Sequence, residues 1–171
     1  MRIESLETIS PPDHEDLRAL LIDAVEHGAS VGYLWSEVRA EVDDYWRGVG
    51  ADLAARRRVL LAARGPDGRI TGSAQLALES RSNGRHRAEV QKMLVWHAAR
   101  GRGLGRALLA RLEAEAKARG RTLLFLDTTV GAAGAEEFYL KAGYRRAGGI
   151  PDYAANPDGR LEANVIFYKR L

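Results

Sequence analysis

Val95-Trp96-His97-Ala98-Ala99-Arg100-Gly101-Arg102-Gly103-Leu104-Gly105-Arg106 lies between two different hydrophobic periods. Before it, Ala88 to Val95 reads as a strand. After it, Leu104, Leu108, Leu112 and Ala116 share one helical stripe, with Arg106, Glu113, Lys117 and Arg119 off it. Glycines let the backbone fold tightly and come close to a ligand. The free N–H groups of a helix start, together with the helix dipole, attract anions. Arg100, Arg102 and Arg106 add cationic side chains, so the favoured ligand is a phosphate or pyrophosphate. A dinucleotide fingerprint would need Gly at position 106, and a Walker A loop needs Gly-Lys, a pair this chain lacks. What remains is R-x-x-G-x-G, Arg100 through Gly103 to Gly105. The plain alternative is a glycine-rich turn that merely starts a helix. Three Gly and three Arg within the seven residues Arg100–Arg106 argue against it.

Working outward, Ser10 is placed to cap a helix opening at Pro11-Pro12, with Leu17, Leu20, Leu21, Ala24 and Val25 at helical spacing up to Gly28. A second helix is expected over Trp35–Trp46. Val59–Ala63 is a short apolar run, followed by the turn signal Gly65-Pro66-Asp67-Gly68. Ile70–Leu78 and Ala88–Val95 are expected strands, joined through Asn83-Gly84, a hairpin dipeptide set in a longer connection. Thr122–Leu126 reads as a strand covered on both faces, Ala135–Ala142 as a short helix and Glu162–Tyr168 as a final strand. The alternation of strand and helix in the second half predicts a partly parallel sheet with covering helices.

The chain has 171 residues, a net charge of +3, 46% hydrophobic and 29% charged residues, and no Cys. That length suits one domain. Without Cys there is no disulfide, thiolate zinc site or cysteine nucleophile. No apolar run approaches the ~20 residues of a membrane span, and Met1–Ser10 carries no apolar signal core. A cytoplasmic protein, as monomer or homodimer, with no membrane and no nucleic-acid partner is expected. The weak positive balance does not demand a polyanion. The four scattered His give no metal-ligand spacing, so no metal is expected.

The R-x-x-G-x-G loop between strand and amphipathic helix resembles the acyl-CoA pyrophosphate loop of the GNAT family of N-acetyltransferases. Glu136-Glu137-Phe138-Tyr139-Leu140-Lys141-Ala142-Gly143-Tyr144 resembles that family's A-x-x-F-Y-x-x-x-G-F/Y segment. Arg87–Val95, Leu126–Thr128, Asn156–Leu161 and His27–Tyr33 look more narrowly like the tabtoxin-resistance acetyltransferases, which act on a β-lactam amino-acid toxin. The resemblance implies an α/β single-domain GNAT fold over residues 1–171, with a mixed, splayed central β-sheet flanked by α-helices. It implies acetyl-CoA as donor and a small-molecule amine, amino-acid-like or an antibiotic, as acceptor. Protein N-termini, lysines and polyamines stay open as acceptors. A non-catalytic regulator that binds CoA or nucleic acid is the reading from another class.

The same resemblance implies that Leu94 and Val95 line the pantetheine arm. It places Arg100, Gly101, Arg102, Gly103, Leu104, Gly105 and Arg106 at the pyrophosphate, Phe138 at the cofactor and Tyr139 near the CoA sulfur. A phenol, protonated at neutral pH, can donate to a departing thiolate; without the resemblance Tyr139 reads as a half-buried helix aromatic. For the base, Glu89 and Asp127 are candidates, since ligands sit at strand ends beside a crevice. Asp127 ranks first because the apolar run before it predicts burial; each also reads as a salt-bridged carboxylate. Tyr33 and Trp35, in the segment joining the first two helices, are candidate substrate contacts or plain core. Gly28-Ala29-Ser30-Val31-Gly32 matches G-x-S-x-G, but a helix precedes it where a nucleophile elbow needs a strand.

Overall fold

A computed structural model describes residues 2–132 and 134–171. The chain runs β1 (Arg2–Ser5), α1 (Pro11–Glu26), α2 (Val38–Ala54), β2 (Arg58–Arg64), β3 (Ile70–Leu78) and β4 (Arg87–Val95). It continues through α3 (Leu104–Ala118), β5 (Leu123–Thr129), α4 (Ala135–Lys141), β6 (Arg145–Gly148), β7 (Ala154–Ala155), β8 (Leu161–Glu162) and β9 (Asn164–Arg170). Ser10 caps α1 as expected, its Oγ accepting from the Asp13 N–H at 3.4 Å. Helix α2 starts later than expected and runs further. Trp35 is held outside it by bonds to Pro157 and Val25. Gly48 and Gly50 do not stop it, because Trp46, Val49 and Leu53 keep the buried stripe going.

Seven strands form one sheet in the order β1-β2-β3-β4-β5-β9-β6. Every pair is antiparallel except β4–β5, where α3 makes the crossover that a parallel pair requires. Helices cover both faces. Leu60 and Ala62 of β2 pack with α1 and α2, whereas Val59, Leu61 and Ala63 pack with α3. That explains the unbroken apolar run of β2. Strand β5 alternates instead: Leu124 and Leu126 are buried while Leu123 and Phe125 are half-buried. Asn83-Gly84 lies in a 3₁₀ turn and does not form a two-residue hairpin. Strand β1, the exposed edge strand β6 and the β7–β8 ribbon had no period long enough to read.

Gly72 sets how closely α3 approaches the sheet. A Cβ there would lie 3.1 Å from the Leu94 carbonyl oxygen and from Leu108 Cδ1, and 3.2 Å from Leu104 Cδ2. Gly72→Ala is therefore expected to destabilise the fold by about 1–3 kcal/mol, the usual effect of overpacking. A urea midpoint equal to that of the parent would contradict this.

Candidate active site

The site begins with a defect in β4. Ser73 pairs with Leu94 but Gln75 pairs with Gln91, so β4 carries one residue more than β3 between those positions. Lys92 absorbs the excess with φ +46°, a left-handed conformation that a non-glycine residue rarely takes. Pairing of β4 with β5 stops at Glu89–Phe125, while β5 continues along β9 to Thr129. The two parallel strands thus part, and a cleft of about 1120 Å³ opens between them.

At one end lies the glycine loop. Gly101 (φ +76°) and Gly103 (φ +81°) are both left-handed, and Gly103 is the N-cap of α3. A Cβ on either would meet nothing within 4 Å. Among the described residues, none accepts a hydrogen bond from the backbone N–H groups of Gly101 to Arg106. This is the donor set a diphosphate needs, with the positive end of the α3 dipole behind it. Leu94, Val95, Arg100, Gly101, Gly103, Leu104, Gly105, Arg106 and Phe138 all border the cleft. Arg102 is exposed and is not part of its wall. The Phe138 ring lies over Gly105, 3.6 Å from where a Cβ would sit.

Glu89, Asp127 and Tyr139 line the same cleft. Tyr139 is 8% exposed, set edge-on to Phe138 and Tyr144 and beside Phe167. Burial, and then the Asp127 charge, push its phenol above the ordinary range, so it stays protonated at neutral pH. Glu89 is half-buried. Burial raises its pKa; Asp127 adds to the rise, while a hydrogen bond from Gln91 Nε2 (2.9 Å) and the charges of Arg58 and Lys92 oppose it.

The burial expected for Asp127 is corrected: it is exposed. It stands on the part of β5 that has lost β4 as a neighbour, and its contact is Asn164 Nδ2 at 3.4 Å. The ranking that put Asp127 ahead of Glu89 therefore loses its ground. Trp35, 53% exposed, is turned from the cleft, its indole N–H donating to the Val25 carbonyl at 2.7 Å at the end of α1. Tyr33 is also outside the wall, behind Tyr45 and Lys92. That segment reaches the cleft through Ala29, Ser30, Val31 and Gly32, and Ser30 lies in a loop after a helix.

Sequence reasoning missed Gln91, Lys92, Tyr45 and Asn164. The strand alternation that places Glu89 and Gln91 on one face, broken by Lys92, was a signal for the first two. Tyr45 and Asn164 join the cleft only through packing. Loss of the Tyr139 hydroxyl in Tyr139→Phe is expected to lower kcat about 10²-fold with little change in stability, the lower end of what a positioned acid supplies. Parallel kinetics and thermal melts check this.

The sequence profile of the acetyltransferase (GNAT) family matches residues 15–144. An uncharacterized N-acetyltransferase from the hisH-hisA intergenic region of Azospirillum brasilense is 36% identical over 127 residues, 73% of this chain and 73% of the relative. An IAA acetyltransferase of Azospirillum brasilense is 35% identical over 100 residues, 58% of this chain and 62% of the relative. A ribosomal-protein-alanine N-acetyltransferase from Brucella melitensis superposes with a TM-score of 0.82 at 24% identity, covering 100% of both chains. The yncA protein of Salmonella typhimurium, solved with its cofactor acetyl-CoA, gives 0.79 at 20% identity over 100% of this chain and 95% of that one. At those identities the two structures speak for the fold alone.

Proposed function

The chain belongs to the acetyltransferase (GNAT) family, and from that premise we propose that it moves acetyl from acetyl-CoA to the amine of a small amino-acid-like or antibiotic acceptor by direct attack on the thioester. One observation carries the reading: unpaired N–H groups at a glycine-rich helix start lie in the same cleft as a half-buried carboxylate and a buried phenol. Acetyl-CoA supplies the activated acyl group. The N–H groups of Gly101–Arg106 hold its pyrophosphate, with Arg100 and Arg106 adding charge and Leu94 and Val95 bordering the pantetheine arm. Phe138 closes that wall over Gly105.

Glu89 takes the proton of the attacking amine, directly or through one water, as a base held above the usual carboxylate range can do. The new C–N bond replaces the C–S bond, and Tyr139 gives its proton to the departing sulfur. Asp127, exposed at the cleft rim, attracts the ammonium form of the acceptor before it is deprotonated. Holding both reactants in one cleft supplies much of the remaining rate. A small acceptor is supported by Tyr153, just before β7, and Glu162 of β8, which border the cleft, and by the sequence likeness to the tabtoxin-resistance acetyltransferases.

An acetyl-CoA consumption assay across α-amino acids, amine antibiotics, polyamines and peptides tests the reading. Turnover with α-amino-acid-like compounds or antibiotics supports it. Turnover on peptides alone replaces the acceptor. Tight CoA binding with no turnover on any amine would favour the non-catalytic reading.

A further inference from the structure

Beneath the cleft, a chain of polar side chains crosses three strands. Asp52, at the end of α2, accepts from Arg58 Nη2 at 3.2 Å and from its Nε at 3.3 Å. Arg58 Nη1 donates to Gln91 Oε1 at 2.7 Å and to Gln75 Oε1 at 2.8 Å. Gln91 Nε2 then donates to Glu89 Oε2 at 2.9 Å. Gln75, which is fully buried and pairs with Gln91 across β3 and β4, also accepts from the Tyr45 hydroxyl at 3.0 Å. The Arg58 side chain is 13% exposed. Asp52, Glu89 and Gln91 are partly buried, and Glu89 and Gln91 border the cleft.

The chemistry leaves one arrangement. A guanidinium has five N–H donors and no acceptor, so only an oxygen can face it. Gln91 must therefore turn Oε1 toward Arg58, and its NH₂ group toward Glu89. A flipped amide would set N–H against N–H at Arg58 and oxygen against oxygen at Glu89. Such a conflict in a poorly solvated site leaves polar groups unsatisfied, at about 1–3 kcal/mol for each.

We propose that Arg58 and Gln91 are positioning residues for Glu89: the guanidinium fixes the Gln91 amide, and the amide aims one carboxylate oxygen and leaves the other for the acceptor amine. This rests on Glu89 as the base. The charged and titratable groups around Glu89 are Arg58 of β2, Lys92 of β4 and Asp127 of β5. Tyr45 of α2 joins the network through Gln75, and Lys92 is itself held by the Val31 carbonyl and the Tyr33 and Tyr45 rings. Without the Gln91 donor, burial and Asp127 act on Glu89 with less opposition.

The test is a ¹³C NMR titration of the Glu89 side-chain carboxyl in the parent, Gln91→Leu, Arg58→Met and Arg58→Lys, beside the pH profile of kcat/KM for the acceptor. Gln91→Leu is expected to move the carboxyl titration upward by about one pH unit, roughly a tenfold change in the ionisation equilibrium. Arg58→Met shifts it the same way, and Arg58→Lys restores part of the parent value. The acid limb of kcat/KM follows the carboxyl, while KM for acetyl-CoA stays constant. An unmoved Glu89 titration in folded Gln91→Leu overturns the proposal. If Gln91→Leu does not fold, Arg58→Met and Arg58→Lys decide, and equal titrations in those two overturn it as well. Glu89→Gln separates the two failures: if its acid limb persists, the base assignment fails; if only the Gln91 and Arg58 shifts are missing, the positioning proposal alone fails.

Discussion

Glu89→Gln is expected to lower kcat by about 10²- to 10⁴-fold, the range supplied by a positioned general base, with acetyl-CoA affinity unchanged. Glutamine keeps the shape and the side-chain oxygen but cannot take a proton. The parent should lose activity as pH falls through the Glu89 pKa, which burial has lifted, because the base must be ionised. The variant should lack that acid limb. Stability runs the other way. A carboxyl whose folded pKa is raised contributes stability that is fully present below its unfolded value, near 4.3, and lost as pH rises through the folded value. At neutral pH the ionised Glu89 therefore opposes folding. Glu89→Gln should melt at the same temperature as the parent or higher. A variant that lost activity and stability together would mark Glu89 as a structural residue instead.

Gly103→Val is expected to weaken acetyl-CoA binding by at least about 10²-fold in calorimetry, equivalent to ~2.7 kcal/mol. The parent backbone takes φ +81° at this N-cap. A β-branched residue is a genuine outlier there, and the left-handed conformation costs non-glycine residues about 1–2 kcal/mol. The open space around a Gly103 Cβ means that no protein atom is struck. The damage comes from the main chain leaving the left-handed region and turning the Leu104–Arg106 N–H groups off a common target. Hydrogen bonds to a charged group contribute roughly 1.5–3 kcal/mol each, so misdirecting two accounts for the expected loss. Retained affinity would place the pyrophosphate elsewhere. Together the two variants split the site: Glu89→Gln should bind without turning over, and Gly103→Val should fail at binding.

How much of the site could be read from the chain follows from the range of each interaction. The expected roles of Gly101, Gly103, Arg100 and Arg106 rest on backbone conformation and local charge, so their spacing was enough to propose an anion loop. Arg102 sits in the same motif yet lies outside the cleft wall, in the turn that precedes the N-cap of α3. The α1 cap, β3 and α3 were legible for the same local reason. The start of α2 was not, because Trp35 is held by Val25 and Pro157, residues distant in sequence.

The sequence by itself determined the main helices, the inner strands and the glycine-rich turn before α3, since each rests on periodicity or on a short motif whose physics is complete within a few residues; the family came from the resemblance those motifs carry. Only the tertiary structure decided which carboxylate has the environment of a base. Asp127 follows an apolar run and is nevertheless exposed, because β4–β5 pairing ends at Glu89–Phe125, two residues before it. Glu89 sits in an ordinary-looking strand and is half-buried over a polar chain supplied by Arg58 and Gln75 from two other strands. Burial and hydrogen bonding at a single carboxyl depend on which strands end beside it, and that is settled only when the sheet assembles.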